Sequence, residues 1–215
     1  MELKGLKINI LGDSITEGCG ASSFDRGFAY LLQSEYGAVV RNYGIGGARI
    51  AMQYHLLDWE PPYDRNYVIR AKEMDKDADV VIVFGGTNDF GHGDAPFGSF
   101  ADRRNATFYG ACHELFSYLE STYAGKEIVV MTPMHRADED ITADKFTTHP
   151  LIDYVRAIRE VAEYYSLPVF DTWANIGLTP KVPEIMKKYV CDGLHPSDLG
   201  HALLAKKLAA YLRTL

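Results

Sequence analysis

Short uninterrupted apolar runs recur along the chain, each stopping at a glycine or a polar turn, as strands do when helices cover both faces of their sheet. Four stand out. Residues 6–11 (LKINIL) stop at Gly12, 38–43 (AVVRNY) at Gly44, 78–84 (ADVVIVF) at Gly85-Gly86, and 127–131 (EIVVM) at Thr132-Pro133. A weaker fifth run, 167–170 (LPVF), closes at Asp171. Between them the apolar positions fall three and four residues apart, the spacing of one helix face. Phe28, Leu31, Leu32 and Tyr36 form one stripe, and residues 101–123 carry another through Phe108, Ala111, Cys112, Leu115, Tyr118 and Leu119. A third starts at Pro150, suited to a first helical position, and continues through Ile152, Val155, Ile158, Ala162 and Tyr165. The last covers residues 199–212. Alternating strands and helices predict crossover units and an α/β fold with a mostly parallel, five-stranded sheet.

Two irregular stretches, 51–64 and 133–149, interrupt the alternation. In open α/β sheets such insertions lie over the carboxyl edge, where ligands bind. No linker, repeat or low-complexity segment divides the 215 residues, so residues 1–215 are expected to form one domain.

Composition narrows the partners. Hydrophobic residues make up 47% of the chain, enough for a two-sided core, and 22 basic against 29 acidic residues give a net charge of −7. Nucleic acid and anionic membranes are therefore disfavoured, as are strongly anionic substrates. Cys19, Cys112 and Cys191 are too widely spaced for a zinc site or a disulfide framework. No leader sequence opens the chain and no apolar run approaches the ~18 residues of a membrane span, so a soluble, cytoplasmic protein is expected.

The chemistry collects where predicted strands end. Ser14, in Gly12-Asp13-Ser14-Ile15, sits on the turn into a helix, where a nucleophile gains from the helix-end potential. Taken alone, the tripeptide reads equally well as an N-capped turn. The second strand runs into Asn42-Tyr43-Gly44-Ile45-Gly46-Gly47, whose glycines let backbone N–H groups approach a bound oxygen. The third runs into Gly85-Gly86-Thr87-Asn88-Asp89, where the Asn88 amide is a candidate donor to developing negative charge. Asp192 stands three residues before His195, close enough for the carboxylate to orient the imidazole. Nucleophile, base, base-orienter and oxyanion donors together make the set that acyl transfer needs.

These four blocks, GDSI, NYGIGG, GGTND and DGLH, occur in the order found in the SGNH hydrolase superfamily of GDSL-type esterases and lipases, which the chain resembles over nearly its whole length. The resemblance implies Ser14 as nucleophile, His195 as general base and then acid, and Asp192 as its orienter. It implies an oxyanion hole formed by the Ser14 N–H, the Gly47 N–H and the Asn88 side chain. It also implies a three-layer α/β/α, flavodoxin-like fold with strand order 2-1-3-4-5, and no metal or organic cofactor. Two positions depart from the family pattern. Ile15 replaces a leucine, and Ala48-Arg49 stands where a polar Asp-Thr type of pair is common.

The expected activity is hydrolysis of carboxylic esters carrying short acyl groups, acetyl first, on small soluble substrates such as carbohydrates. Lysophospholipase or thioesterase activity on the same fold is the nearest alternative. A metal-dependent phosphohydrolase using Asp13, Asp89, Asp192 and His195 is a more distant one, because it leaves Ser14, Gly47 and Asn88 without roles. Trp59, Phe90, His92 and Arg136 are the candidate substrate contacts, Arg136 facing either a substrate carboxylate or Asp138 or Asp140. The polar stretch 133–149 is a candidate mobile cover.

Overall fold

The computed structural model describes residues 1–61, 63–140 and 147–215. Its five strands, β1 (Lys7–Gly12), β2 (Val39–Gly44), β3 (Val80–Phe84), β4 (Glu127–Met131) and β5 (Val169–Phe170), pair in parallel in the order β2-β1-β3-β4-β5. Around them lie α1 (Ser14–Glu17), α2 (Phe28–Tyr36), α3 (Tyr67–Arg70), α4 (Thr87–His92), α5 (Phe108–Thr122), α6 (Leu151–Tyr164), α7 (Thr172–Asn175), α8 (Pro183–Tyr189) and α9 (Asp198–Leu212).

Side chains alternate across the sheet, and each set is buried by its own helices. Ile8, Ile10, Val80, Ile82, Phe84, Val129 and Met131 join Phe28 and Leu32 of α2 and Leu204 and Leu208 of α9 in one core. Val81, Val83, Ile128 and Val130 join Leu115 and Leu119 of α5 and Ile158 and Val161 of α6 in the other. Full burial of such side chains contributes about 1.5–3 kcal/mol each, which is why the central strand β3 carries no polar residue. The three-layer α/β/α arrangement and the strand order agree with the expectation.

Several boundaries differ, each for a local reason. Gly12 and Gly44 belong to β1 and β2 and pair across them, so those strands run one residue further than their apolar runs. The helix expected over residues 101–123 starts only at Phe108, because Thr107 caps it with a side-chain bond to the Gly110 N–H at 3.1 Å. Asp102 meanwhile turns the preceding residues, accepting from the Ser99 N–H and the Thr107 hydroxyl. Pro150 is the N-cap of α6, with Leu151 as the first helical residue. α4 was hidden in a sequence that reads as an Asx turn, and it brings Asn88 and His92 onto one face. Among the described residues, no helix is long and apolar enough to cross a membrane.

The register positions the chemistry. Gly12 lies level with Gly44 on one side and Phe84 on the other, so three chain segments leave the sheet at one height. The segments bearing Ser14, Gly47 and Asn88 begin there.

Candidate active site

The first strand turns into α1 through Asp13, whose carboxylate caps the helix by accepting from the Ile15 N–H at 3.0 Å. Burial pushes the Asp13 carboxyl up to about 7; the Ile15 bond opposes this and the nearby Asp89 charge adds to it. The short helix α1 stops at Gly18, and Asn42 of β2 ties it to the sheet by donating to the Thr16 carbonyl at 2.8 Å. Gly44 permits that closeness, since a Cβ there would strike the backbone of Thr16 and Glu17.

Ser14 Oγ lies 2.9 Å from His195 Nε2. His195 Nδ1 lies 2.6 Å from Asp192 Oδ2, and Asp192 Oδ1 accepts from the Leu194 and His195 N–H groups at 2.8 and 2.7 Å. Partial burial raises the Asp192 carboxyl, but the bonds from His195 and from these two N–H groups outweigh it and hold the group below the usual range. The loop is anchored from two sides. Ala137 donates to the Gly193 carbonyl at 2.7 Å, and Ser22 binds both oxygens of Asp198 at the start of α9. Serine, imidazole and carboxylate thus form one hydrogen-bonded relay, although they come from opposite ends of the chain.

Gly47 follows β2 with a left-handed backbone (φ +74°). Its turn is held against α1 by Glu17, whose Oε2 accepts from the Gly46 N–H at 2.7 Å, and a Cβ on Gly46 would lie 3.9 Å from Ser14 Cβ. From α4, the Asn88 amide donates to the Ala48 carbonyl at 3.1 Å, which leaves its second hydrogen for a ligand. Asp89, the next residue, accepts from the Ile50 and Ala51 N–H groups at 3.0 and 2.9 Å and fixes the segment beyond the glycines. Burial raises its carboxyl to about 6 against those two bonds. Asp89 is therefore spent on the loop. Among the described residues, no group of three or more His, Cys, Asp or Glu side chains is placed to hold a metal ion, so the four residues of the phosphohydrolase alternative do not gather into a metal site.

The four candidate substrate contacts divide. The Trp59 ring lies on Gly47: a Cβ there would come within 2.9 Å of its Cη2. His92 meets Trp59 edge to face at 5.4 Å between ring centres, and its Nδ1 lies 2.9 Å from Arg49 Nη1. Phe90, by contrast, is buried and packs against Tyr154, with the Arg136 guanidinium 5.4 Å from its ring centre. It has no free surface for a substrate, because α4 turns it into the core, whereas Asn88 reaches the Ala48 carbonyl beyond the glycines. Arg136 is also withdrawn. Its Nε and Nη2 bind Asp138 at 2.5 and 3.0 Å, and its Nη1 donates to the Thr87 carbonyl at 3.0 Å. Of the two uses expected for this arginine, the bond to Asp138 is the one seen. Residues 141–146 of the expected cover, and Pro62 of the aromatic insertion, lie outside the described residues.

Three contributors have no local sequence signal, because their partners are remote: Glu17 for Gly46, Asp89 for Ile50 and Ala51, and Arg65 beside Gly47. Arg49 did carry one, as a departure from the family pattern. Its buried side chain pairs with the equally buried Glu60 at 2.6 Å and reaches the Gly47 carbonyl at 3.3 Å.

A model of the GDSL-like Lipase/Acylhydrolase family matches residues 10–203. Among solved structures, one protein is 34% identical, aligning over 100% of this chain and 99% of its own with a TM-score of 0.86. A protein from Lactobacillus plantarum is 27% identical over 98% of each chain, with a TM-score of 0.82. A possible lipase from Chitinophaga pinensis DSM 2588 is 24% identical over 97% of this chain and 98% of its own, with a TM-score of 0.69, and shares the fold. No curated protein sequence is significantly similar.

Proposed function

The chain belongs to the GDSL-like lipase/acylhydrolase family and is a carboxylic ester hydrolase, and from that premise we propose that Ser14, His195 and Asp192 are its catalytic triad, used to remove short acyl groups, acetyl above all, from small soluble substrates such as carbohydrates. The observation that carries this reading is the continuous relay Ser14–His195–Asp192, at 2.9 and 2.6 Å.

Ser14 Oγ attacks the ester carbonyl while His195 Nε2 accepts its proton, and the Asp192 carboxylate holds the imidazole in the required tautomer and balances its charge. The N–H groups of Ser14 and Gly47 and the free amide hydrogen of Asn88 receive the oxyanion. His195 then protonates the departing alcohol. Water, deprotonated by the same imidazole, releases the acid from the acyl-serine.

The short-acyl preference is supported by Trp59, whose ring lies directly on Gly47 and limits the space beside the carbonyl carbon. Exposed Tyr54, Trp59 and Tyr63 on one insertion offer flat apolar faces of the kind on which sugar rings stack. The decisive experiment is a panel of p-nitrophenyl esters of rising chain length, run beside acetylated sugars and thioesters. Highest kcat/KM at acetyl to butyryl is expected. A maximum at long chains overturns the short-acyl reading, and full activity in Ser14→Ala overturns the triad.

A further inference from the structure

Three guanidinium groups approach the oxyanion turn, and two of them are held by hydrogen bonds. Arg70 donates to the carbonyls of Gly12 and Tyr43, and Arg49 serves Glu60, His92 and the Gly47 carbonyl. Arg65 differs. A Cβ on Gly47 would lie 3.4 Å from its Nη2, so the group borders the oxyanion turn beside the Trp59 ring. Its side chain retains only 16% of its exposure, yet among the described residues it makes no hydrogen bond, and its one ion-pair contact is Glu60 Oε1 at 4.0 Å.

That carboxylate is already committed. Glu60 Oε1 lies 2.6 Å from Arg49, and Oε2 accepts from the Leu57 N–H at 2.8 Å. Two cations, Arg49 and Arg65, and two carboxylates, Glu60 and Glu17, flank the turn. Glu17 is taken up by the Gly46 N–H and Glu60 by Arg49, which leaves Arg65 as the charge without a hydrogen-bonded partner among the described residues. A guanidinium has five donors in a planar fork that matches a carboxylate, and the Arg65 donors keep a path to solvent, and so to a ligand, with no acceptor taken from the described residues.

We propose that Arg65 is a specificity-determining residue that binds a carboxylate on the substrate, so that the preferred esters are those of carboxylate-bearing molecules, such as the acetyl ester of a hydroxy acid or an acidic sugar. This rests on the ester-hydrolase reading above and deepens it. The sequence pointed to Arg136 for such a role; with Arg136 bound to Asp138, Arg65 is the arginine whose donors are open beside Gly47.

The test uses ester pairs that differ only in charge, followed by acid release at constant pH. Acetoxyacetate against acetoxyacetamide places the carboxylate on the alcohol side; monomethyl succinate against methyl succinamate places it on the acyl side. In at least one pair the wild type should favour the charged member by about ten- to a hundredfold in kcat/KM, expressed mainly in KM, as expected for one charge-assisted contact. The ratio should fall towards unity in Arg65→Gln, recover in part in Arg65→Lys and shrink with added salt. No charge preference in either pair, or a preference unchanged in Arg65→Gln, overturns the assignment. An equal loss on all four esters does so too, since it would make Arg65 an oxyanion donor. Binding is read separately from turnover. In a Trp173→Phe background Trp59 is the sole tryptophan, and its fluorescence should respond to acetoxyacetate or succinate with Arg65 present and lose that response in Arg65→Gln. A fluorescence response without hydrolysis of any ester sinks the triad reading and spares the carboxylate site; hydrolysis without charge preference does the reverse.

Discussion

His92 Nδ1 faces Arg49 Nη1 at 2.9 Å, and since a guanidinium can only donate, this ring nitrogen accepts and the proton of the neutral imidazole sits on Nε2. Burial, reinforced by the Arg49 charge, lowers the His92 pKa to about 4. Between that value and the ordinary histidine range the unfolded chain binds a proton that the folded chain refuses. His92 therefore contributes stability near neutrality that is lost as the pH falls towards 4. Nitrogen-15 NMR should show the Nε2–H form unchanged down to about pH 5. A charged His92 at pH 6 would contradict the geometry.

Asp13 has the opposite sign. Its carboxyl is raised by burial to about 7, so the folded chain keeps a proton that the unfolded chain has released above about pH 4, and stability declines as the pH rises through that window. Asp13→Asn retains an oxygen for the Ile15 N–H and removes the buried charge. Thermal unfolding should favour the variant at pH 8 by a wider margin than at pH 5; an equal difference at both pH values would refute this.

Asp192→Asn should keep its loop folded, because the amide oxygen can still accept from Leu194 and His195, while presenting the wrong partner to the imidazole. A loss of about 10⁴ in kcat is expected, with little change in Tm. Asn88→Ala removes one oxyanion donor and should cost about 10²–10³ in kcat. Steady-state kinetics with an acetyl ester distinguish the two, and a change confined to KM in either variant would dissociate that residue from the transition state.

Phe90 and Trp59 make a paired test of burial. Phe90→Ala opens a cavity in the core and should destabilise the fold by about 3–5 kcal/mol, read by denaturant unfolding. Trp59→Ala, at a side chain that remains 62% exposed, should cost less than about 1 kcal/mol and shift the acyl-length optimum towards longer chains. If instead Phe90→Ala altered acyl preference at unchanged stability, the inward orientation of Phe90 would be wrong.

Much of the architecture was legible in the sequence because it is written in local patterns. Strands β3 and β4 are apolar runs for the reason that both their faces are covered, and the helix stripes through Leu115, Ile158 and Leu208 repeat at the period of the helix. The candidate triad and oxyanion residues were legible for a related reason. Each follows the end of a strand or precedes a helix, and a turn there needs glycine, serine, aspartate or asparagine in a short block. α4 escaped because Thr-Asn-Asp is turn chemistry locally and becomes helical only when the left-handed Gly86 and the surrounding core set its direction.

Residue type and spacing thus determined the order of elements, the parallel sheet and the identity of the residues gathered at its carboxyl edge. Which charged groups are spent and which are free was decided only in three dimensions. Arg136 and Arg65 are indistinguishable as exposed-type cations in irregular segments, yet one is closed off by Asp138 and Thr87 while the other borders Gly47 with its donors open. Asp89 and Asp192 likewise both lie in glycine-containing blocks, but one holds a loop and the other a histidine. The three-residue pairing of Asp192 with His195 was readable locally, but hydrogen bonding is directional and short-ranged, so where the partner is far along the chain, as for Asp89 with Ile50 and Ala51 or Arg136 with Thr87, a single sequence carries no local trace of it.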